Sequence, residues 1–195
     1  MIDVKLDATV NYIVSGLERS GTSMMMQILT AGGIPTAYDD SRSSDENNPR
    51  GYYELEGGKI INKLLDGSFP FERYRARFVK ITAFGLMYLP LGNYKIIYME
   101  RNLDEVMDSM GKMLGKKDPD RESIKSSFQK LNEYVKKVFL QRNDVNVLFV
   151  NYNNVLRDPK RHIQDICRFL GVADMNQDRM LGVVDQRLYR QRKKF

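Results

Sequence analysis

The residues best placed to do chemistry are Arg19-Ser20-Gly21-Thr22-Ser23, which follow Tyr12-Ile13-Val14-Ser15-Gly16-Leu17-Glu18. A short apolar run (Tyr12, Ile13, Val14) stops at a glycine-bracketed loop, and an apolar run of helical character begins directly after it. Gly16 and Gly21 have the spacing of the phosphate loop Gly-x4-Gly-Lys-Ser/Thr. Thr22 stands where that loop has its lysine, and the cation inside the loop is Arg19. Glycines let several backbone N–H groups converge on one concavity. A helix starting there adds its unpaired N-terminal donors and the positive end of its dipole. Thr22 and Ser23 add hydroxyls, and Arg19 adds a permanent charge on a planar fork of donors. A lone Gly-x4-Gly would favour a plain turn that binds nothing. With Arg-Ser-Gly-Thr-Ser at the junction, the segment reads as an anion cradle without the lysine used on a nucleoside triphosphate's terminal phosphates.

A second polar pair lies further on. Residues 94–99 read as a strand that runs into Glu100-Arg101-Asn102 and then a helix over 103–114. Asn102 reads as the helix N-cap and Glu105 as its capping-box acid. Ser109 follows Asn102 by seven residues, within about 20° of a whole number of turns, so it shares the side of the helix from which Arg101 emerges. An arginine at a strand end and a serine two turns into the next helix suit one phosphate held between them. Taken singly, Arg101 reads as a surface ion-pair partner and Ser109 as filler on a helix flank. Val106, Met110 and Met113 repeat at helical spacing and read as core, as do Met24, Met25 and Met26.

The elements that must position these groups alternate in type. Strands are expected over 11–15, 77–81, 94–99 and 145–150, and helices over 21–31, 54–65, 103–114, 121–142 and 159–170. Gly32-Gly33 with Pro35 beyond stops the first helix. Alternation of this kind predicts an α/β fold, three layers built on a central, mostly parallel sheet flanked by helices. Two long polar loops, 36–50 and 115–122, are expected at the carboxyl edge of that sheet, where ligands bind. There is no internal repeat and no long linker, so residues 1–195 read as a single domain with a basic tail over about 187–195.

Composition narrows the setting. The chain has 195 residues, 42% hydrophobic and 29% charged, as expected of a soluble globular protein. Its apolar runs are too short to span a bilayer, and residues 1–6 lack a secretory signal pattern. The single Cys167 suits a reducing compartment, so a cytoplasmic location and no membrane partner are expected. One cysteine and one histidine do not make a zinc cluster. Net charge is +6, which favours an anionic ligand. Arg187, Arg190, Arg192, Lys193 and Lys194 crowd the end, read either as a solvated terminus or as a segment folding over a bound phosphate. No nucleic-acid motif accompanies them, so a nucleic-acid partner is not expected.

The loop and the Arg101/Ser109 pair together resemble the sulfotransferase family, in its compact bacterial-type form. That family uses 3′-phosphoadenosine 5′-phosphosulfate (PAPS). A Lys/Arg-Ser-Gly-Thr-Thr/Ser loop holds the 5′-phosphosulfate, and an Arg with a Ser eight positions on holds the 3′-phosphate. Further similarity lies in Asn48-Pro49-Arg50-Gly51-Tyr52-Tyr53-Glu54, Phe78-Val79-Lys80-Ile81, and Asp158-Pro159 leading to Phe169-Leu170-Gly171, so the likeness runs over roughly residues 10–172 in order. Two features depart from it. Where the cytosolic members have Lys-Thr-His, with histidine as base, this chain has Lys80-Ile81-Thr82. The family's C-terminal Arg-Lys-Gly loop is absent, and Arg190 and Arg192 are the residues left to stand in for it.

The resemblance implies transfer of a sulfonate from PAPS to a hydroxyl or amine of a small-molecule or saccharide acceptor, releasing adenosine 3′,5′-bisphosphate (PAP), with no metal. It assigns Arg19, Ser20, Gly21, Thr22, Ser23, Arg101, Ser109 and Arg190 to the donor. Arg19, Lys80 and Glu54 would be catalytic, with Glu54 as base in place of the missing histidine. Lys80 also reads as an ordinary strand-edge lysine, and Glu54 as an acid favoured at a helix N-terminus. The single histidine, His162, reads as a surface or packing residue. The two ends of the donor are expected in two separate pockets, and Tyr38, Tyr52, Tyr53, Phe69, Phe71 and Tyr74 read as aromatic walls or as core. The alternatives are a P-loop kinase for nucleotides or small molecules, and a non-catalytic nucleotide-binding protein. Oligomeric state is not encoded in any recognisable pattern.

Overall fold

Neighbouring residues of a strand point to opposite faces of the sheet, yet Ile13 and Val14 are 1% and 0% exposed, and Ile96 and Ile97 are both at 0%. Both faces of this sheet are therefore covered, which is why its strands read as continuous apolar runs. In this computed structural model, residues 4–115, 120–172 and 175–185 are described. The elements are β1 (Asn11–Gly16), α1 (Thr22–Ala31), β2 (Thr36–Ala37), α2 (Ile60–Leu65), β3 (Phe78–Lys80), β4 (Tyr94–Glu100), α3 (Leu103–Leu114), α4 (Arg121–Gln141), β5 (Val145–Asn151), α5 (Tyr152–Arg157), α6 (Pro159–Leu170) and α7 (Gln177–Val183). Short 3-10 turns lie at Glu56–Gly58, Phe71–Tyr74 and Gly85–Tyr88.

The five strands are all parallel, in the order β2-β3-β1-β4-β5, with Ile13 opposite Ile96 and Val14 opposite Ile97. One core packs α1, α5, α6 and α7 against Tyr12 and Val14. The other packs α2 and α4 against Ile13, Ile96 and Tyr98. This is the three-layer α/β architecture expected from the sequence. Strand order reverses direction at β1, between β3 and β4, and open parallel sheets take their ligands at such a point, beyond the carboxyl ends of the strands.

Several elements differ from expectation. The helix expected over 54–65 starts later, because Gly57 and Gly58 adopt φ of 61° and 85°, so only a 3-10 turn precedes α2. The two-residue β2 and the short helices α5 and α7 carry too few residues to show a period. Asn151 nonetheless caps α5, its side chain accepting from the Asn154 N–H. The methionine stripe of α3 is split: Val106 and Met107 are buried, whereas Met110 is half-buried and Met113 borders a cavity. Phe69 is in the core, stacked on Tyr74 and edge-on to Phe71; those two are partly buried against it, with Phe71 edge-on to Tyr94.

Candidate functional site

A cavity of about 340 Å³ opens at the carboxyl edge of the sheet. The residues that end three strands or directly follow them lead into it: Gly16 and Leu17 after β1, Lys80–Thr82 at β3, and Arg101 after β4. Tyr152, the first residue after β5, closes the wall, and the loop before α2 supplies Arg42, Asn47, Arg50, Tyr52 and Glu54. Of the loops expected at this edge, 36–50 is therefore present at the site, while residues 116–119 of the loop 115–122 lie outside the described residues.

The glycine loop has the backbone an anion cradle requires. Ser20 N–H and Oγ both bond the Leu17 carbonyl, at 3.2 and 2.7 Å. Arg19 has φ of 64°, a left-handed conformation that a non-glycine residue adopts at a cost of about 1–3 kcal/mol. Gly21 has φ of 102°, and a Cβ there would lie 2.4 Å from the Tyr152 ring, so only glycine fits. Among the described residues no side chain caps the first turn of α1, and Thr22, Ser23 and Met24 of that turn line the cavity. Its N–H groups are therefore left for a ligand.

The Arg101 end meets this loop instead of standing apart from it. Arg101 Nη1 donates to the Arg19 carbonyl at 3.0 Å, and its guanidinium lies 4.6 Å from the centre of the Tyr152 ring. Arg19 Nε donates to Ser109 Oγ at 2.9 Å, and its Nη2 donates to the Asn47 carbonyl at 3.2 Å. Two separate pockets were expected; the structure has one cavity containing both groups. The reason is sheet order, because β1 and β4 are neighbours and their carboxyl ends open side by side. Glu105, expected to complete a capping box, is buried and accepts from Arg101 Nε at 3.2 Å and from Asn153 at 3.0 Å. Its i+4 spacing from Arg101 was the available signal; Asn153 and Tyr152 gave none.

Glu54 and Lys80, 26 positions apart, also meet. Lys80 is 8% exposed, and its ammonium donates to Glu54 Oε1 (2.9 Å), Ser23 Oγ (3.0 Å) and the Tyr52 carbonyl (2.8 Å). Those three acceptors match its three donors. Burial pushes the Lys80 pKa below the ordinary 10.5, with the Glu54 carboxylate acting against that shift. Glu54 Oε2 takes a second donor, Arg42 Nη1 at 3.0 Å. The Arg42 guanidinium stacks 3.5 Å from the Tyr52 ring centre, and Tyr52 Oη donates to Asp45 at 2.7 Å. Lys80 is thus buried among acceptors, and Arg42 is a cavity residue the sequence did not single out. Arg50 ties this loop to the end of α7, donating to the Val183 carbonyl (2.7 Å) and Asp185 (3.2 Å). His162 is half-buried on α6 and does not line the cavity. Arg190, with Arg187, Arg192, Lys193 and Lys194, lies outside the described residues.

Fold and cavity together define an α/β protein of the P-loop type, with Thr22 at the position of the nucleoside-triphosphate loop's lysine and Arg19 as the loop's cation. Residues 10–195 match the sulfotransferase domain family, and the chain belongs to that family. No curated protein matches the chain. The sulfotransferase domain of the olefin synthase of Synechococcus PCC 7002 aligns with a TM-score of 0.57 at 16% identity, covering 98% of this chain and 86% of that one. Mouse sulfotransferase SULT7A1, solved in complex with PAP, aligns with a TM-score of 0.51 at 17% identity, covering 94% of this chain and 65% of the mouse chain. These likenesses show the shared fold, and family membership supports sulfotransferase activity. No described helix is long and apolar enough to cross a membrane.

Proposed function

We propose that the protein transfers a sulfonate from PAPS to a hydroxyl or amine of a small-molecule or saccharide acceptor. One observation carries this reading: a single cavity brings together the uncapped start of α1, Arg19, Arg101, Ser109 and the Glu54–Lys80 pair. A donor with an anionic group at each of two ribose positions fits two adjacent cationic ends. The bound donor supplies an activated sulfonate on its 5′-phosphate.

The chain's residues do the rest. The N–H groups at the start of α1, with Thr22 and Ser23, cradle the 5′ end, while Ser20, expected to join them, is buried with both donors on the Leu17 carbonyl and shapes the loop. Arg19 meets the charge that grows on the leaving phosphate as the S–O bond breaks. Arg101 and the Ser109 hydroxyl take the 3′-phosphate, Ser109 donating its proton while its oxygen keeps the Arg19 contact. Glu54 takes the acceptor's proton. Its Lys80 contact is buried and stays. Its Arg42 contact, on a side chain 40% exposed, is the more open of the two and is the one exchanged for an acceptor hydroxyl. Lys80 reaches the sulfonate by exchanging one of its three acceptors. Catalysis then rests on positioning and fixed charge.

Isothermal titration tests the reading. PAP binds much more tightly than 5′-AMP or ATP if the site is built for a 3′-phosphate, and transfer of label from PAPS to a mixture of acceptors identifies the product. Equal affinities for the three nucleotides would remove the donor assignment, and preferential ATP binding with phosphoryl transfer would place the protein among kinases.

A further inference from the structure

Among the described residues six cations line the cavity, and four of them already face an acid. Lys80 and Arg42 face Glu54, Arg50 faces Asp185, and Arg101 faces Glu105. Among the described residues, Arg19 and Lys112 face none. Arg19 belongs to the glycine loop. Lys112 follows Ser109 by three residues on α3, and residues at that spacing are neighbours on a helix surface. Both line the same cavity, and Lys112 is exposed at its rim. Asp108, four residues before Lys112 and a natural partner for it, is paired with Arg121 at 2.7 Å instead. A lysine in the last turn of a helix is also favoured by the dipole, which explains its sequence position but not its place beside Ser109.

Charge balance gives Lys112 a task. A 3′-phosphate carries close to two negative charges. Arg101 brings one positive charge, and the buried Glu105, 3% exposed and 3.2 Å away, offsets it. Arg101 and Ser109 alone therefore offer donors but little net charge. We propose that Lys112 is the counter-cation of the 3′-phosphate, completing with Arg101 and Ser109 a three-point clasp on one side of α3. This rests on the PAPS reading above and adds a residue to it. The clasp sets nucleotide choice: Lys112 acts on ligands with a 3′-phosphate and leaves 5′-monophosphates untouched.

The test is titration of the full chain and of Lys112→Ala and Lys112→Arg with PAP and with 5′-AMP, which lacks the 3′-phosphate. Lys112→Ala is expected to weaken PAP about tenfold, equal to about 1.4 kcal/mol, and to leave 5′-AMP unchanged. Lys112→Arg keeps the charge and most of the PAP affinity. If the wild type prefers PAP while Lys112→Ala binds it as well as the wild type, Lys112 has no such role and the donor reading stands. An equal loss for both ligands would mean a general effect of charge or folding and would also overturn the proposal. If the wild type binds PAP and 5′-AMP alike, the donor reading itself fails and this inference falls with it.

Discussion

Gly21→Ala probes the junction on which the site depends. Gly21 sits at φ 102°, ψ 15°, where an L side chain costs about 1–3 kcal/mol. The added methyl would lie 2.4 and 3.0 Å from Cδ2 and Cε2 of Tyr152. That ring is 7% exposed, with Arg101 packed 4.6 Å from its centre, so it has little room to yield, and overpacking of this kind costs about 1–3 kcal/mol. The two effects sum to about 4 kcal/mol. For a chain of this size each kcal/mol moves Tm by about 2–4 °C, giving a fall of about 8–16 °C. Gly171→Ala supplies the control. Its φ is 71° with nothing within 4 Å of the new methyl, so it pays strain alone, about 1–2 kcal/mol. Scanning fluorimetry and urea denaturation measure both variants, and PAP titration of Gly21→Ala should show a loss as well, because displacing Tyr152 displaces Arg101. If the two variants melt together, Tyr152 does not pack on the loop, and the argument that Gly21 joins the loop to the Arg101 end is wrong.

Arg101→Ala should weaken PAP by about 2 kcal/mol or more, since a charged hydrogen bond is lost and Glu105 is left with one partner fewer; unchanged affinity in titration refutes its assignment. Glu54→Gln should spare PAP binding and cut transfer from labelled PAPS steeply, and undiminished turnover means another residue is the base. Asp144 accepts from Arg142 at 2.9 and 2.6 Å and from the Gly92 N–H at 2.9 Å, and those bonds, the Arg142 ones foremost, hold its pKa well below the ordinary 3.8. A depressed carboxyl stabilises the fold above its unfolded pKa and loses that contribution as pH falls, so Asp144→Asn should reduce stability at neutral pH and narrow its gap to wild type below pH 3.8. For Lys80 the burial-lowered pKa means the unfolded chain holds the extra proton. Wild-type stability relative to Lys80→Met should therefore rise as pH climbs toward 10.5, and a flat difference in urea denaturation contradicts the burial of that ammonium.

Much of this arrangement was legible in the residues. The apolar runs gave four of the five strands because both faces of the sheet are covered, and Asn102 announced α3 through its side chain, which accepts from the Asp104 and Glu105 N–H groups. The glycine loop and the Arg101/Ser109 pair are local patterns, each set by one strand-to-helix junction. What stayed hidden depends on contacts across the chain. The Lys80–Glu54–Arg42 chain joins three segments that only the fold places side by side. Expecting a helix from Glu54 also overlooked that Gly57 and Gly58 hold the backbone open there. The union of the Arg19 and Arg101 ends is a matter of sheet order, since β1 and β4 are neighbours although residues 17–93 separate them.

The most direct measurement is a crystal structure of the protein soaked with PAP. The account predicts the 5′-phosphate on the N–H groups of Gly21, Thr22 and Ser23 beside Arg19, with the 3′-phosphate within hydrogen-bonding distance of Ser109 Oγ and the Arg101 guanidinium. A nucleotide bound with its phosphates away from both ends of this cavity, or seated elsewhere on the protein, would contradict it.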